Sequence, residues 1–171
     1  GLALDFEKRS LHSSSMIEKK MELSEYSFVF PQEYGFSKYG LPVVGMVKKG
    51  KEYICLVDSG SNLNITTKYV LGNGDITNRH TGLKSSLTSV AGTKMTDLMN
   101  VDFDLLSIGN KIGEIKIKKY STDFQVIDNS KFILEGESNI PPISAIIGAG
   151  FLLEQKWVVD FASGLVYSVN N

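Results

Sequence analysis

An apolar stretch, Tyr53-Ile-Cys-Leu-Val57, runs straight into Asp58-Ser59-Gly60-Ser61-Asn62. A carboxylate set at a strand end by a tight turn can take up or give a proton once its neighbours tune it. The same residues also suit a plain turn, because Asp, Ser and Gly close strand ends. Chance supplies the bare tripeptide Asp-Ser/Thr-Gly in roughly one chain in ten of this length. A second segment, Ser144-Ala-Ile-Ile147-Gly148-Ala149-Gly150-Phe151-Leu152, mimics a dinucleotide-binding fingerprint. Leu153 stands where that fingerprint needs Gly or Ala for helix–strand packing, so the dinucleotide reading is rejected. A buried strand followed by a glycine turn is the simpler account.

The other chemistry-bearing residues offer less. Cys55 is the sole cysteine, which excludes an intramolecular disulfide and a cysteine zinc cluster. Its place in an apolar strand fits a small buried residue better than a nucleophile. His12 and His80 are the two histidines, too few for a His-rich metal site, and His80 reads as a loop residue. No Gly-x-Ser-x-Gly elbow occurs. Asp102, Asp104 and Asp160 alternate with apolar residues, as solvent-facing or turn carboxylates do. No metal and no cofactor is expected.

These residues sit in a chain of 171 residues, 42% hydrophobic, with 18 basic against 19 acidic side chains. That is the size and composition of one globular domain. A net charge of -1 argues against a general nucleic-acid footprint. No apolar run approaches the roughly 20 residues of a membrane span. Gly1-Leu-Ala-Leu-Asp-Phe-Glu-Lys8 has neither the basic nor the apolar part of a secretory leader, and no compartment is assigned.

Residues 1–24 differ in texture and read as an N-terminal arm or short helix, with helix formers over Met16–Ser24; residues 25–171 read as the domain proper. From Tyr26 onward, short apolar runs alternate with Gly, Asn and Lys turns, the pattern of an all-β domain. Strands are expected at Ser27–Phe30, Leu41–Lys48, Glu52–Val57, Leu83–Val90, Thr93–Leu106, Ile112–Ile117, Phe124–Ile127, Ser144–Ile147, Trp157–Phe161 and Gly164–Val169. Lys48-Lys-Gly-Lys51 is expected as a hairpin turn and Phe151–Lys156 as one or two helical turns.

Taken together the two segments resemble the aspartic proteases. Asp58-Ser-Gly-Ser-Asn-Leu63 nearly repeats the pepsin-like active-site loop, one residue shorter. Ile146-Ile-Gly148-x-x-Phe151, then Trp157-Val-Val-Asp160-Phe161 and Leu165-Val-Tyr167, resemble the downstream signature. Between them Leu87-Thr-Ser-Val-Ala-Gly92-Thr93 looks like the flap hairpin. The resemblance runs in order from about Leu41 to Val169. One Asp-Ser-Gly in one chain is similar to the single-lobe, retropepsin-like class, which forms its site across a two-fold axis.

The resemblance implies an all-β, acid-protease-like single-lobe closed barrel with one short C-terminal helix. It implies an aspartic endopeptidase acting as a homodimer on a peptide or protein substrate. Asp58 from each subunit would form the catalytic pair. Ser59 would bond across to the partner loop, and Gly60 would allow close approach and aim its N–H at a carboxylate. The Ser61 hydroxyl would bond an Asp58 oxygen. Ser61, Val90, Ala91, Gly92 and Thr93 would contact substrate. Ile147 and Gly148 would support the loop from behind, glycine letting the strand cross closely. Two other readings stay open: a non-catalytic peptide-binding or interaction module of the same fold, and a small-ligand β-barrel in which the motif matches are coincidence.

Overall fold

The computed structural model describes residues 2–6, 9–13, 28–29, 40–72, 78–89, 92–108, 115–128, 142–161 and 164–168. The strands are β1 (Leu2–Asp5), β2 (Ser10–Ser13), β3 (Phe28–Val29), β4 (Val43–Lys48), β5 (Lys51–Asp58) and β6 (Ile65–Thr67), followed by β7 (Arg79–Ser89), β8 (Gly92–Ile108) and β9 (Ile115–Ile127). Next come β10 (Ile143–Gly148), β11 (Trp157–Asp160) and β12 (Leu165–Ser168). Two short helices join them, α1 (Lys68–Leu71) after β6 and α2 (Ala149–Glu154) after β10.

Six strands close on themselves: β8 pairs β4, then β5, β10, β6 and β9 follow, and β9 returns to β8. Closure removes sheet edges around the ring. From β8 a side branch runs through β3, β12, β11 and β1 to β2. This is the all-β single-lobe closed barrel with a short helix near the C-terminus that the sequence implies.

Local chemistry sets these elements. In β5 the side chains alternate, with Tyr53, Cys55 and Val57 buried and Ile54, Leu56 and Asp58 less so. That period of two fixes which face meets the core. Lys48 pairs Lys51 across a two-residue turn in which Lys49 and Gly50 have φ of 52° and 71°. Both positive φ values match the hairpin turn whose twist suits antiparallel strands.

Some boundaries differ from those expected. Ile112–Ile117 and Phe124–Ile127 were expected as two strands, but Ile115 to Ile127 is one strand. The polar stretch between them belongs to the sheet because β8 pairs along it from Ile108↔Ile115 to Asp97↔Val126. Its buried and exposed residues alternate, with Tyr120 and Phe124 inside and Lys119, Ser121 and Asp123 outside. Strand β7 starts at Arg79 rather than Leu83, so His80 lies in an exposed strand and not in a loop. Within residues 1–24, β1 pairs both β2 and β11, which joins this segment to the sheet of the domain. The helix formers at Met16–Ser24 lie outside the described residues.

The core gathers Phe103, Tyr120, Phe124, Phe151 and Trp157. Ring centroids are 5.5 Å apart for Phe103 and Phe124, 5.3 Å for Tyr120 and Phe151, and 5.5 Å for Phe151 and Trp157, all edge-on. Such pairs add about 0.5–1.5 kcal/mol each beyond their burial. The cluster ties α2 and β11 to the barrel strands β8 and β9. Trp157→Ala should therefore lower the unfolding free energy by about 3–5 kcal/mol. Urea titration of the purified variant checks this, and a loss under about 1 kcal/mol would show that the ring is not packed as described.

Candidate active site

Strand β5 ends at Asp58, whose side chain is half-buried. The chain turns at once: the Ser61 N–H donates to the Asp58 carbonyl oxygen at 3.2 Å. The Gly60 N–H donates to Asp58 Oδ1 at 2.9 Å, which fixes the carboxylate relative to its own turn. A Cβ on Gly60 would lie 3.3 Å from that oxygen, so a side chain there would press on the carboxylate.

Behind this turn the chain crosses itself. β10 runs parallel to β5 with Ile147 opposite Val57 and Gly148 opposite Asp58. On its other flank β10 is antiparallel to β6, with Ile146 opposite Ile65. Residues 59–64 thus carry the chain from one side of β10 to the other, over Gly148. The fit is tight: a Cβ at Gly148 would lie 2.5 Å from the Leu63 oxygen and 2.6 Å from the Ser61 oxygen. Only glycine lets the two backbones approach so closely.

Backbone and amide hydrogen bonds hold the crossing. The Ala149 N–H donates to the Ser61 oxygen at 2.7 Å, and the Gly148 N–H donates to Asn64 Oδ1 at 2.9 Å. Asn64 Nδ2 donates to the Asp123 oxygen at 3.1 Å, and the Gln125 N–H donates to the Asn64 oxygen at 2.9 Å. Asn64 therefore ties the loop to β10 and β9 at once. Asn62, which closes the motif Asp58-Ser59-Gly60-Ser61-Asn62, is exposed and does not take this place. The available signal for Asn64 was its place just before the apolar Ile65, where a buried amide can satisfy several backbone groups.

The other expected site residues are placed as follows. Ser59 and Gly60 are exposed at the turn. The Ser61 hydroxyl does not bond Asp58; it donates to the Leu63 oxygen at 2.8 Å and accepts the Leu63 N–H at 3.3 Å. Ser61 thus stabilises the loop that covers Gly148. Ile147 is fully buried beside it. Strands β7 and β8 make the flap-like hairpin, with Ser89 paired to Gly92 and Thr88 to Thr93. Gly92 has φ of 112°, a conformation that suits glycine at a hairpin tip. The Thr88 and Thr93 hydroxyls lie 3.0 Å apart. Val90 and Ala91 lie outside the described residues.

Cys55 is buried, and burial pushes its thiol well above the ordinary range, which suits packing and not nucleophilic attack. Asp160, expected as a solvent-facing or turn carboxylate, is buried in β11 at 2% exposure. Pairing with β1 on one side and β12 on the other covers it. Among the described residues no three His, Cys, Asp or Glu side chains gather to hold a metal, and no helix is long and apolar enough to cross a membrane.

No family model matches the chain, and no curated protein does. Among solved structures the chain is similar to the crystal structure of the retroviral protease-like domain of Ddi1 from Leishmania major. The identity is 12% and the TM-score 0.41, over 77% of this chain and 89% of that one.

The crossing makes two neighbouring glycines unequal. At Gly150 the nearest atom to an added Cβ is the Asn62 oxygen at 3.7 Å, an ordinary contact. Gly148→Ala should destabilise by about 3 kcal/mol or more, because two backbone carbonyls must move. Gly150→Ala should be neutral or gain up to about 1 kcal/mol from helix propensity in α2. Equal thermal stability of the two variants would contradict the crossing geometry.

Proposed function

We propose that the chain is an aspartic endopeptidase of the retropepsin-like type, working through the Asp58 carboxylates of two identical subunits. The observation that carries this reading is the half-buried Asp58 at a strand end, held by the Gly60 N–H and backed by the close crossing at Gly148. A small, rigid, glycine-lined turn can approach a second copy of itself about a two-fold axis. The order of loop, flap-like hairpin, glycine strand and short helix along the chain supports the same reading.

Two carboxylates within hydrogen-bond reach cannot both ionise, so they share one proton and titrate as a unit. The ionised member takes a proton from a water whose oxygen attacks the peptide carbonyl carbon. The protonated member gives its proton to the carbonyl oxygen. Collapse of the tetrahedral intermediate breaks the C–N bond, and the departing nitrogen takes up a proton from the pair. The β7–β8 hairpin would cover the peptide, with Val90, Ala91, Gly92 and Thr93 at its tip.

Asp58→Asn should reduce peptidase activity by at least about a thousandfold with the fold intact, since the amide keeps the shape and cannot act as base. Circular dichroism and a peptide-cleavage assay on the same sample check both halves, and cleavage at the wild-type rate would end this assignment. Rate per chain should also fall on dilution below the dimer dissociation constant. Full activity in a proven monomer would rule out the shared pair, while a monomer inactive at every concentration would favour a non-catalytic peptide-binding module. Extended peptides with bulky apolar residues at the cut should be preferred, because Leu87, Val90 and Ala91 would line the groove. A mixed-library cleavage profile showing Lys or Asp favoured on both sides of the cut would contradict that preference.

A further inference from the structure

Asn64 stands at the far end of the loop that begins at Asp58, and its one side-chain amide bonds to β10 and β9 together. Oδ1 accepts the Gly148 N–H at 2.9 Å. Nδ2 donates to the Asp123 oxygen at 3.1 Å and lies 3.4 Å from the Thr122 hydroxyl. The amide can face only one way, since Gly148 needs an acceptor and the Asp123 carbonyl needs a donor. A carboxylate of the same shape supplies acceptors alone.

The leverage of this amide comes from its partner. Gly148 is the residue opposite Asp58 in the parallel pairing of β10 with β5. It is buried. A buried N–H left without an acceptor is costly and uncommon in folded proteins. Without Asn64 the peptide plane between Ile147 and Gly148 would turn toward another acceptor, and the neighbour of Asp58 would move with it. Ala149 would carry the same shift into the turn, because its N–H donates to the Ser61 oxygen and the Ser61 N–H donates to the Asp58 oxygen. The Gly60 N–H, which holds Asp58 Oδ1 at 2.9 Å, belongs to that turn. The Asn64 amide bonds Gly148, Asp123 and Thr122 and not Asp58, so it acts on the carboxylate through Gly148.

We propose that Asn64 is a positioning residue for Asp58: through Gly148 it fixes the turn in the orientation that lets two Asp58 carboxylates meet at one water. The meeting of two carboxylates rests on the endopeptidase reading. The placement of Asp58 within its own turn does not.

The test compares the full chain with Asn64→Ala, which loses both bonds, and Asn64→Asp, which keeps an acceptor for Gly148 but loses the donor to Asp123. Amide NMR reads the turn without catalysis. The Gly60 N–H shift should follow the titration of Asp58 in the wild type. It should lose most of that pH dependence in Asn64→Ala and a smaller part in Asn64→Asp. Peptide cleavage reads the pair. In Asn64→Ala kcat should fall roughly tenfold to a hundredfold, with KM changing less. The bell of kcat against pH should also narrow, because carboxylates held further apart repel less and lose their protons closer together in pH. A purely structural Asn64 would lower the melting temperature and leave both the Gly60 titration and the width of the bell unchanged, and that result overturns the proposal. Failure of both variants to fold overturns it as well, since Asn64 would then serve the fold and not the site. No cleavage by the wild type would end the endopeptidase reading, and the Gly60 titration then decides alone: its loss in the Asn64 variants upholds the positioning role, and its persistence overturns it.

Discussion

The close passage of one backbone over another at Gly148 is the constraint on which the rest of the site depends. Asp58 sits where it does because β5 ends opposite Gly148. The loop that follows must then cross β10 to reach β6 on the far side. With carbonyl oxygens 2.5 Å and 2.6 Å from the position of a Cβ, the crossing has no room for any other residue. The N–H groups of Gly148 and Ala149 are turned to use by donating to Asn64 and Ser61, so the approach leaves neither donor unsatisfied. Pinned at both ends, the turn carrying Asp58 has little freedom to move relative to the barrel.

Rigidity reaches the site from the core. Gly148 leads directly into α2, and α2 places Phe151 among Phe103, Tyr120 and Trp157. The strand behind the carboxylate is thus continuous with the aromatic part of the core. Sites that rest on strands and packed rings hold geometry more closely than sites on free loops. By contrast the β7–β8 hairpin extends with mostly exposed side chains and carries Leu83 and Met95 at 63% and 58% exposure. An element with few buried contacts opens at low cost, which the proposed role of this hairpin as a cover over the peptide requires.

Much of this was legible in the residues. Apolar runs ending at Asp58 and at Gly148 marked both central strands: β10 is buried at nearly every residue, and β5 alternates buried with half-buried residues from Tyr53 to Asp58. The Lys49-Gly50 turn and the short helix after Gly148 followed from local chemistry. What escaped was set by distant partners. Strand β6 has three residues, Ile65–Thr67, and exists because β10 and β9 flank it. The lysine-rich middle of β9 looks like a loop in isolation and is a strand because β8 pairs with it throughout. Ser61 was expected to bond Asp58, but the nearer Leu63 backbone takes its hydroxyl. Asn64 could not be told from Asn62 by type, since only the crossing decides which amide meets Gly148.

The central claim is that two Asp58 carboxylates from two chains make one catalytic centre. Mixing wild-type and Asp58→Asn chains at a fixed total concentration, well above the dimer dissociation constant, tests it most directly. If each centre needs an Asp58 from both subunits, the rate follows the square of the wild-type fraction, so an equal mixture keeps about one quarter of the rate. A rate that falls in simple proportion to the wild-type fraction, to about one half in the equal mixture, would contradict the shared centre.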